Sequence, residues 1–251
     1  ARTDLSSVQE VSMGSAPASP LLLRQVREIF SDPKITIQYG VTEAGPRMFG
    51  EHPAGRPRPL GSCGCPLAGG EVKLIDDPDN PADPGGAHTG ELWVRNPGVM
   101  MGYHNLPDAT AAKLPGGGWF RTGDVLRRDA EGFYWFVSRA DDMFNCGGEN
   151  IYPAEVEAVL EKHPAIIQSA VTPVPHAVKG EAPVAFVVVN DPAARDEAAL
   201  KQFALANGPA YAHPRRIFFL DALPLASTNK IDRARLKAEA LVLARGLGED
   251  E

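Results

Sequence analysis

The stretch from Pro53 to Gly132 is crowded with glycine and proline, so it has room only for short strands joined by turns. Three runs of strand-forming residues lie within it or just after it, at 71–75, 91–95 and 133–138. The segment 76–86, rich in proline and aspartate, is typical of a surface loop. The pattern predicts a small twisted antiparallel or barrel-like subdomain.

The chain before this stretch predicts one helix and one buried strand. Apolar residues at helical spacing follow Ser19-Pro20 as far as Phe30, with Ser19 as the N-cap. The strand at 35–39 runs into a turn at 40–45 that contains glycine, threonine and glutamate. Ligands bind at such turns in open α/β sheets, although an ordinary strand-to-loop turn has the same composition.

The last third of the chain alternates helices and strands without a long βαβ series. One helix is expected to begin at Pro153, a second to cover 197–206, and a third to extend from an Asp232 N-cap to Leu243. The expected strands cover 165–174, 183–189 and 216–220. This predicts a compact α+β domain, and the polar segment 138–142 suits a domain boundary.

The fold class expected for the whole chain is therefore α+β, in three parts. Residues 1–50 form the end of a large α/β domain, residues 51–140 form a small barrel-like β subdomain, and residues 141–251 form a compact C-terminal α+β domain.

The composition of the chain argues against several classes of function. The chain has 25 basic and 32 acidic residues, a net charge of −7 and no basic cluster, which argues against a nucleic-acid partner. The densest apolar run, 184–189, is too short for a membrane span. Three cysteines without a framework spacing favour the cytoplasm, and Cys63-Gly64-Cys65 lacks a second ligand pair that would make a metal site. Small-molecule chemistry is the better expectation.

Four separated segments carry residues suited to such chemistry. They are Tyr39-Gly40-Val41-Thr42-Glu43, Trp119-Phe120-Arg121-Thr122-Gly123-Asp124, Ser138-Arg139-Ala140-Asp141-Asp142 with Gly147-Gly148-Glu149-Asn150, and Pro224-Leu225-Ala226-Ser227-Thr228-Asn229-Lys230. In order and spacing they resemble the motifs of the adenylate-forming superfamily, which includes acyl-CoA synthetases, luciferases and peptide-synthetase adenylation domains. The resemblance extends over nearly the whole chain.

One motif of that superfamily has no counterpart. Its members carry, well before the Tyr-Gly-x-Thr-Glu segment, a phosphate loop that ends in Pro-Lys-Gly, and nothing similar lies between Ala1 and Tyr39. The glycine-rich segment 116–124 lacks the Lys-Ser/Thr ending of a P-loop. The resemblance thus implies the C-terminal half of such an enzyme, with the missing N-terminal half as a partner and no activity of this chain alone.

The resemblance also implies the reaction: ATP and a carboxylic acid form an acyl-adenylate, and a thiol then displaces AMP. The first step brings anions together, so it needs cations and well-placed donors. Tyr39 and Gly40 would then bind the nucleotide, with the Tyr39 ring against adenine. Thr42 would donate its hydroxyl to phosphate and Glu43 would hold Mg²⁺, which prefers oxygen ligands, so both would take part in catalysis. The backbone of Gly14, Ser15 and Ala16 would also meet adenine.

The other two segments supply further contacts by the same resemblance. Asp124 would bind the ribose hydroxyls, although an aspartate after Gly123 also stabilises turns. Arg139 would contact ribose or phosphate, or else pair with Asp141 or Asp142 on the surface. Lys230 would neutralise the substrate carboxylate and the α-phosphate during attack, whereas most lysines so placed are merely solvated.

The C-terminal domain is expected to move. Asp141 matches the superfamily's hinge position, and Gly147 and Gly148 would line the passage for the pantetheine arm of coenzyme A, although a tight turn also explains two glycines. Ser138 and Asn229 stand where the superfamily usually has glycine.

The segment 147–153 resembles fatty-acyl and aryl-CoA ligases, which favours a CoA ligase over an adenylation domain that loads a carrier protein. A noncatalytic lid that lacks the other half stays a third possibility.

Overall fold

The computed structural model describes residues 3–15, 18, 20–77, 79, 82–227 and 230–245. The described chain divides into two compact units. The first contains the residues up to Ala18 and from Leu22 to Asp141, and the second contains those from Asp142 onward together with Pro20 and Leu21. In the described ranges no helix is long and apolar enough to cross a membrane.

Among its described residues the first unit contains eight strands, one complete helix and all of a second helix except its first two residues, Pro20 and Leu21. The strands are β1 (Glu10–Met13), β2 (Lys34–Ile37), β3 (Phe49–Gly50), β4 (Cys65–Pro66), β5 (Glu71–Ile75), β6 (His88–Arg95), β7 (Phe120–Arg128) and β8 (Tyr134–Arg139), and the helices are α1 (Pro20–Ile29) and α2 (Pro107–Lys113). The sequence predicted α1, β2, β5, β6 and β8, but it gave no strand for β1 and no helix for α2. Ser19, the expected N-cap of α1, lies outside the described residues.

Strands β1 and β2 are parallel and are connected through α1, which makes a βαβ unit. Met13 lies beside Ile37 in the register, so both strands end at the same edge. Helix α1 buries Leu23 and Val26, which are three residues apart and therefore lie on one face. Leu23 joins the core formed by Ile37 and the strands that follow.

Strands β5 to β8 form an antiparallel sheet in chain order, β5-β6-β7-β8. The sequence left open an antiparallel or a barrel-like arrangement, and the structure has the antiparallel one. Within the described residues this sheet stays open, and no barrel closes. Leu74, Leu92 and Leu126 from its first three strands are fully buried and belong to the same core as Ile37. The predicted surface loop, 76–86, connects β5 with β6.

The second unit is a sheet with helices on both faces. Its strands are β9 (Phe144–Cys146), β10 (Glu149–Ile151), β11 (Ile166–His176), β12 (Gly180–Val189) and β13 (Arg216–Phe219), and its helices are α3 (Pro153–Leu160), α4 (Glu197–Asn207) and α5 (Arg233–Leu243), with short 3₁₀ turns at Pro192–Ala194 and Ala210–Ala212. The strand order is β10-β9-β12-β11, and β13 pairs with β12 in parallel.

The continuous apolar run in β12 follows from this arrangement. Val184 and Phe186 pack with residues of α5, whereas Ala185 and Val187 pack with residues of α3 and α4. Because both faces are covered, neither face of the strand needs polar residues. Helix α5 begins as predicted, since the Asp232 side chain accepts a hydrogen bond of 3.0 Å from the Arg235 N–H.

Candidate functional site

The ends of β1 and β2 bring two predicted nucleotide-binding segments to one edge of the first unit. The Gln38 N–H donates to the Met13 carbonyl at 2.7 Å, which holds Gly14 beside the chain that leads into Tyr39. A Cβ on Gly14 would lie 3.1 Å from the Gln38 carbonyl oxygen, so the two backbones approach closely here. Ser15 has a φ of 69°, and Ala16 lies outside the described residues.

The next turn, 40–45, presents Thr42 and Glu43. It is closed by hydrogen bonds between Val41 and Gly45, from each N–H to the other's carbonyl, at 3.1 and 2.8 Å. A Cβ on Gly40 would lie 2.3 Å from the Pro46 carbonyl, so only glycine fits there. Thr42 is exposed and Glu43 is half-buried, and both are accessible to a ligand.

A bulge in β7 places Asp124. Between β6 and β7, Glu91 lies opposite Val125 and Trp93 lies opposite Arg121, so three residues of β7 face one residue of β6. Gly123, inside the bulge, has a φ of 74°, which favours glycine. Such bulges turn a side chain away from its regular direction.

Asp124 accepts hydrogen bonds at both of its carboxylate oxygens. The Tyr39 hydroxyl donates to Oδ2 at 2.5 Å, and Arg139 Nη1 donates to Oδ1 at 2.8 Å. Arg139 lies directly opposite Asp124 in β8, where cross-strand side chains meet. The structure therefore brings together three residues that the sequence places 15 and 85 positions apart.

The electrostatics of this cluster keep Asp124 as the acceptor. Burial raises the pKa of Tyr39 well above its ordinary value, and the charge of Asp124 raises it further, so the phenol stays a donor. Only 6% of Asp124 and 9% of Tyr39 is exposed. Tyr39 is thus a core tyrosine, packed edge-on against Phe49 with ring centroids 5.7 Å apart. A carboxylate has about four lone-pair positions, so Asp124 has acceptor capacity left for hydroxyl groups.

In the second unit, Lys230 lies at the end of a turn that leads into α5. The Ala226 N–H donates to the Lys230 carbonyl at 2.8 Å, and Leu225 pairs with Ile231 across the turn. The side chain of Lys230 is exposed and makes no ion pair with any residue that the structure describes. Thr228 and Asn229, in the same motif, lie outside the described residues.

Gly147 and Gly148 form the two-residue turn between β9 and β10. Their φ angles are 62° and 95°, as a tight hairpin turn requires. The Gly148 N–H donates to Asn145 Oδ1 at 2.9 Å, and the Gly147 N–H donates to the Lys179 carbonyl at 3.0 Å. The turn explains both glycines, and their role along a pantetheine passage stays a prediction.

Two family models match the chain. The model of AMP-binding enzymes matches residues 1–104, and the model of the AMP-binding enzyme C-terminal domain matches residues 155–230. The chain belongs to the adenylate-forming superfamily. The predicted membership of this superfamily is thereby confirmed.

Relatives within the superfamily include CoA ligases. The chain is 39% identical over 225 residues to 2-succinylbenzoate–CoA ligase of Geobacillus kaustophilus, a match that covers 90% of this chain and 45% of that enzyme. Two solved structures are similar. Anthranilate CoA ligase AuaEII, in complex with anthranoyl-AMP, has a TM-score of 0.83 and 30% identity over 96% of this chain and 46% of that one. O-succinylbenzoate CoA synthetase from Bacillus subtilis, in complex with ATP and magnesium ion, has a TM-score of 0.77 and 34% identity over 92% and 46%.

The chain therefore spans less than half the length of these relatives. Of the residues that the superfamily motifs single out, Gly14, Tyr39, Thr42, Glu43 and Asp124 belong to the first unit. Arg139 and the hinge candidate Asp141 also belong to it, whereas Gly147, Gly148 and Lys230 belong to the second. Their individual roles stay predictions.

The sequence analysis missed Glu91, which holds the bulge of β7. Its carboxylate accepts from the Gly123 N–H at 3.2 Å, from Arg121 Nη2 at 3.1 Å and from the Trp93 indole N–H at 3.2 Å. A buried glutamate in an apolar strand is unusual unless it is paired, and that signal was present in the sequence. Glu91 fixes the backbone immediately before Asp124.

Tyr103 was also missed, and it contacts the predicted magnesium ligand. Its hydroxyl donates to Glu43 Oε1 at 2.8 Å. Burial raises the pKa of Tyr103, and the hydrogen bond to Glu43 raises it further. Sixty positions separate the two residues, and no spacing in the sequence predicts the contact.

Asp141 is the last residue of the first unit and is exposed. Burial opposes ionisation of Asp141, but the hydrogen bond from Arg139 Nε, at 3.1 Å, is among the effects that lower its pKa. Arg139 therefore links Asp124 to Asp141, the last residue of the first unit.

Ser138 stands at a position where the superfamily usually has glycine. Its φ is not positive, and its hydroxyl donates to the Arg139 carbonyl at 3.1 Å, so serine fits the strand.

The described residues contain no group of three or more histidine, cysteine, aspartate or glutamate side chains that could hold a metal ion. Burial raises the pKa of Cys63 to about 11, so it stays a thiol, a poor metal ligand. A magnesium ion bound mainly by phosphates needs only one or two carboxylates. Glu43 suits that role, since the Oε2 oxygen that Tyr103 leaves unoccupied has no hydrogen-bond partner among the described residues.

Proposed function

We propose that this chain supplies the adenylate-binding edge and the mobile C-terminal domain of an AMP-forming acyl- or aryl-CoA ligase. The observation that carries the proposal is the cluster of buried Tyr39 and Asp124 with the partly exposed Arg139, which joins three of the superfamily's motifs through two hydrogen bonds. Such a preformed acceptor suits two neighbouring hydroxyls of a ribose. Gly14 and the small exposed part of Tyr39, at the ends of the parallel strands, would face the adenine base.

In the first half-reaction, a carboxylate oxygen of the acid attacks the α-phosphorus of ATP, and pyrophosphate leaves. Thr42 donates its hydroxyl to a phosphate oxygen, and Glu43 holds Mg²⁺, which supplies positive charge against the phosphates when bound. Lys230 neutralises the attacking carboxylate and the α-phosphate. Positioned cations of this kind are often the largest contribution to catalysis.

In the second half-reaction, the thiol of coenzyme A loses its proton to solvent and its sulfur attacks the acyl carbon. A C–S bond forms, and AMP leaves as the bond between the acyl carbon and the phosphate oxygen breaks. Asp141 is the pivot about which the C-terminal domain moves between the two steps. The glycine turn at Gly147 and Gly148 leaves room for the pantetheine arm, because it carries no side chains. The small carboxylic acid, ATP and coenzyme A are the substrates, and the other half of the enzyme completes the site.

Several observations support parts of this proposal. The relatives named above are CoA ligases for 2-succinylbenzoate and anthranilate, and one similar structure was solved with ATP and magnesium. The three buried cysteines form no disulfides, which suits a cytoplasmic enzyme. Aromatic and fatty acids are both candidate substrates.

The test is made in the full-length protein that contains this chain. Pyrophosphate exchange into ATP is measured with a panel of aromatic and fatty acids, followed by coenzyme A-dependent release of AMP. Asp124→Asn keeps the shape of the side chain but removes its charge, and we expect a loss on the order of a hundredfold in kcat/KM for ATP. Asp108→Asn, on the exposed first turn of α2, is the matched control and should retain the parental value.

If no acid of the panel supports pyrophosphate exchange into ATP, the proposal is contradicted and a noncatalytic role is favoured. Exchange without AMP release by coenzyme A would instead favour an adenylation domain that loads a carrier protein.

A further inference from the structure

The carboxylate of Glu43 is fixed by a residue outside the four motifs. The Tyr103 hydroxyl donates to Oε1 at 2.8 Å. No described residue hydrogen-bonds to Oε2, which leaves that oxygen available to a ligand. A glutamate with one oxygen held and one oxygen available is oriented before any ligand arrives.

Tyr103 is itself held in place. Its backbone N–H donates to Thr110 Oγ1 at 2.9 Å, and the Thr110 hydroxyl donates to the Leu106 carbonyl at 2.9 Å, at the start of α2. The orientation of Glu43 therefore depends on a chain of hydrogen bonds that runs from α2 through Tyr103.

The hydroxyl is not needed to anchor the loop that carries Tyr103. The Met100 N–H donates to the Glu43 carbonyl at 2.7 Å, and the Asn96 side-chain amide donates to the Ala44 carbonyl at 3.1 Å. These two bonds already hold the segment 96–103 beside the turn. Removing the Tyr103 hydroxyl leaves them intact, so the side-chain bond to Glu43 has a separate consequence.

We propose that Tyr103 is a positioning residue for divalent-cation binding, and that its hydroxyl fixes the Glu43 carboxylate so that Oε2 serves as the cation ligand. The inference rests on the proposed function of Glu43. Partners of this kind orient metal ligands, and their removal typically costs about 10- to 100-fold in metal affinity. A phenol suits the task because it donates a hydrogen bond without adding a charge that would compete with the cation.

The experiment uses the full-length protein and has a readout other than turnover. Mn²⁺ replaces Mg²⁺, in complex with an ATP analogue whose α–β bridge is a methylene group. Binding is followed by the enhancement of water-proton relaxation when Mn²⁺ is held on the protein. Binding of the metal-free analogue in EDTA is measured in parallel by calorimetry.

For Tyr103→Phe we expect the apparent Kd of the Mn²⁺ complex to rise about tenfold, with the metal-free Kd within about twofold of the parental value. Tyr211→Phe is the matched control, because Tyr211 is exposed and its hydroxyl has no hydrogen-bond partner among the described residues. It should leave both constants unchanged.

A double-mutant cycle separates positioning from a merely structural effect. If Tyr103 acts through Glu43, Tyr103→Phe should have no further effect on the Mn²⁺ complex in a Glu43→Gln background. An additional loss there, an unchanged Kd in Tyr103→Phe alone, or an equal loss of metal-free binding would each overturn the inference. If the parent binds the Mn²⁺ complex no better than the metal-free analogue, the proposed role of Glu43 fails as well. If the parent binds the Mn²⁺ complex better than the metal-free analogue and Tyr103→Phe has the same Kd for it, only the role of Tyr103 is overturned.

Discussion

Asp124 in the first unit is buried in a strand bulge with both oxygens hydrogen-bonded to described side chains, whereas Lys230 in the second unit is exposed and its ammonium pairs with no described residue. Asp124 is therefore oriented in advance, as a binding group should be. Only the backbone of Lys230 is fixed, by its turn with Ala226. A cation that acts in one step and leaves in the next gains from having no permanent partner. The surroundings of Asp124 thus suit a static binding site, and those of Lys230 suit a catalytic group that acts in one step only.

The largest expected effect tests the transient group. Lys230→Ala in the full-length protein should lower acyl-adenylate formation on the order of 10²- to 10³-fold, because a charge clamp on the reacting anions is lost. Thiol transfer from a preformed acyl-adenylate should stay at the parental rate. Single-turnover assays of the two steps measure this, and Lys237→Ala, on the exposed side of α5, is the control. Equal losses in both steps would make Lys230 structural and remove the contrast with Asp124.

A second change tests whether the two regions move separately. Asp141→Pro fixes φ near −65° at the proposed pivot, so only one arrangement of the C-terminal domain should remain accessible. We expect adenylation to persist and thiol transfer to fall on the order of a hundredfold, since misplaced reactants lose that much rate. Asp141→Ala, which removes the carboxylate without fixing the backbone, should affect the steps less and more evenly. Parental rates for Asp141→Pro in both assays would place the pivot elsewhere.

A third change tests the rigidity of the first unit. Gly40→Ala forces a Cβ to within 2.3 Å of the Pro46 carbonyl, so the backbone of the turn at 40–45 must shift. We expect a loss of about 2 kcal/mol in the free energy of unfolding, measured by urea denaturation. Gly70→Ala is the control, since the nearest atom to its Cβ would be 3.5 Å away. A difference below about 0.5 kcal/mol between these variants would show that the turn yields easily.

The smallest expected effect concerns the bond between Tyr39 and Asp124. Tyr39→Phe should cost about 1.5 kcal/mol at neutral pH, because a buried hydrogen bond to a carboxylate is lost. The raised pKa of Tyr39 means that its stabilisation is complete below the unfolded pKa, near 10, and declines above it as the unfolded phenol ionises. Unfolding free energies measured between pH 7 and 11 should therefore converge for parent and variant at the alkaline end. If the difference in unfolding free energy between parent and Tyr39→Phe stays constant or widens as the pH rises, this expectation is wrong.

Secondary structure was predictable wherever a local pattern was strong. Strand β5 has the predicted bounds, 71–75, and the continuous apolar run of β12 reflects a strand covered on both faces. Strand β1 escaped prediction because Glu10–Met13 is short and only half-buried, and it is a strand because β2 pairs with it. Strand β7 was recognised only as a motif, since its bulge interrupts the alternation that marks a strand.

The order of the four motifs determined, from the sequence alone, the superfamily and the residues whose chemistry fits nucleotide binding. Local patterns also determined most helices and strands, because propensity, capping and periodicity act between neighbours in the chain. Only the tertiary structure decided that Asp124 lies between Tyr39 and Arg139, that Glu91 holds the bulge, and that Tyr103 holds Glu43. Those contacts join residues 15 to 85 positions apart, and strand register and loop packing, which no single segment encodes, bring them together.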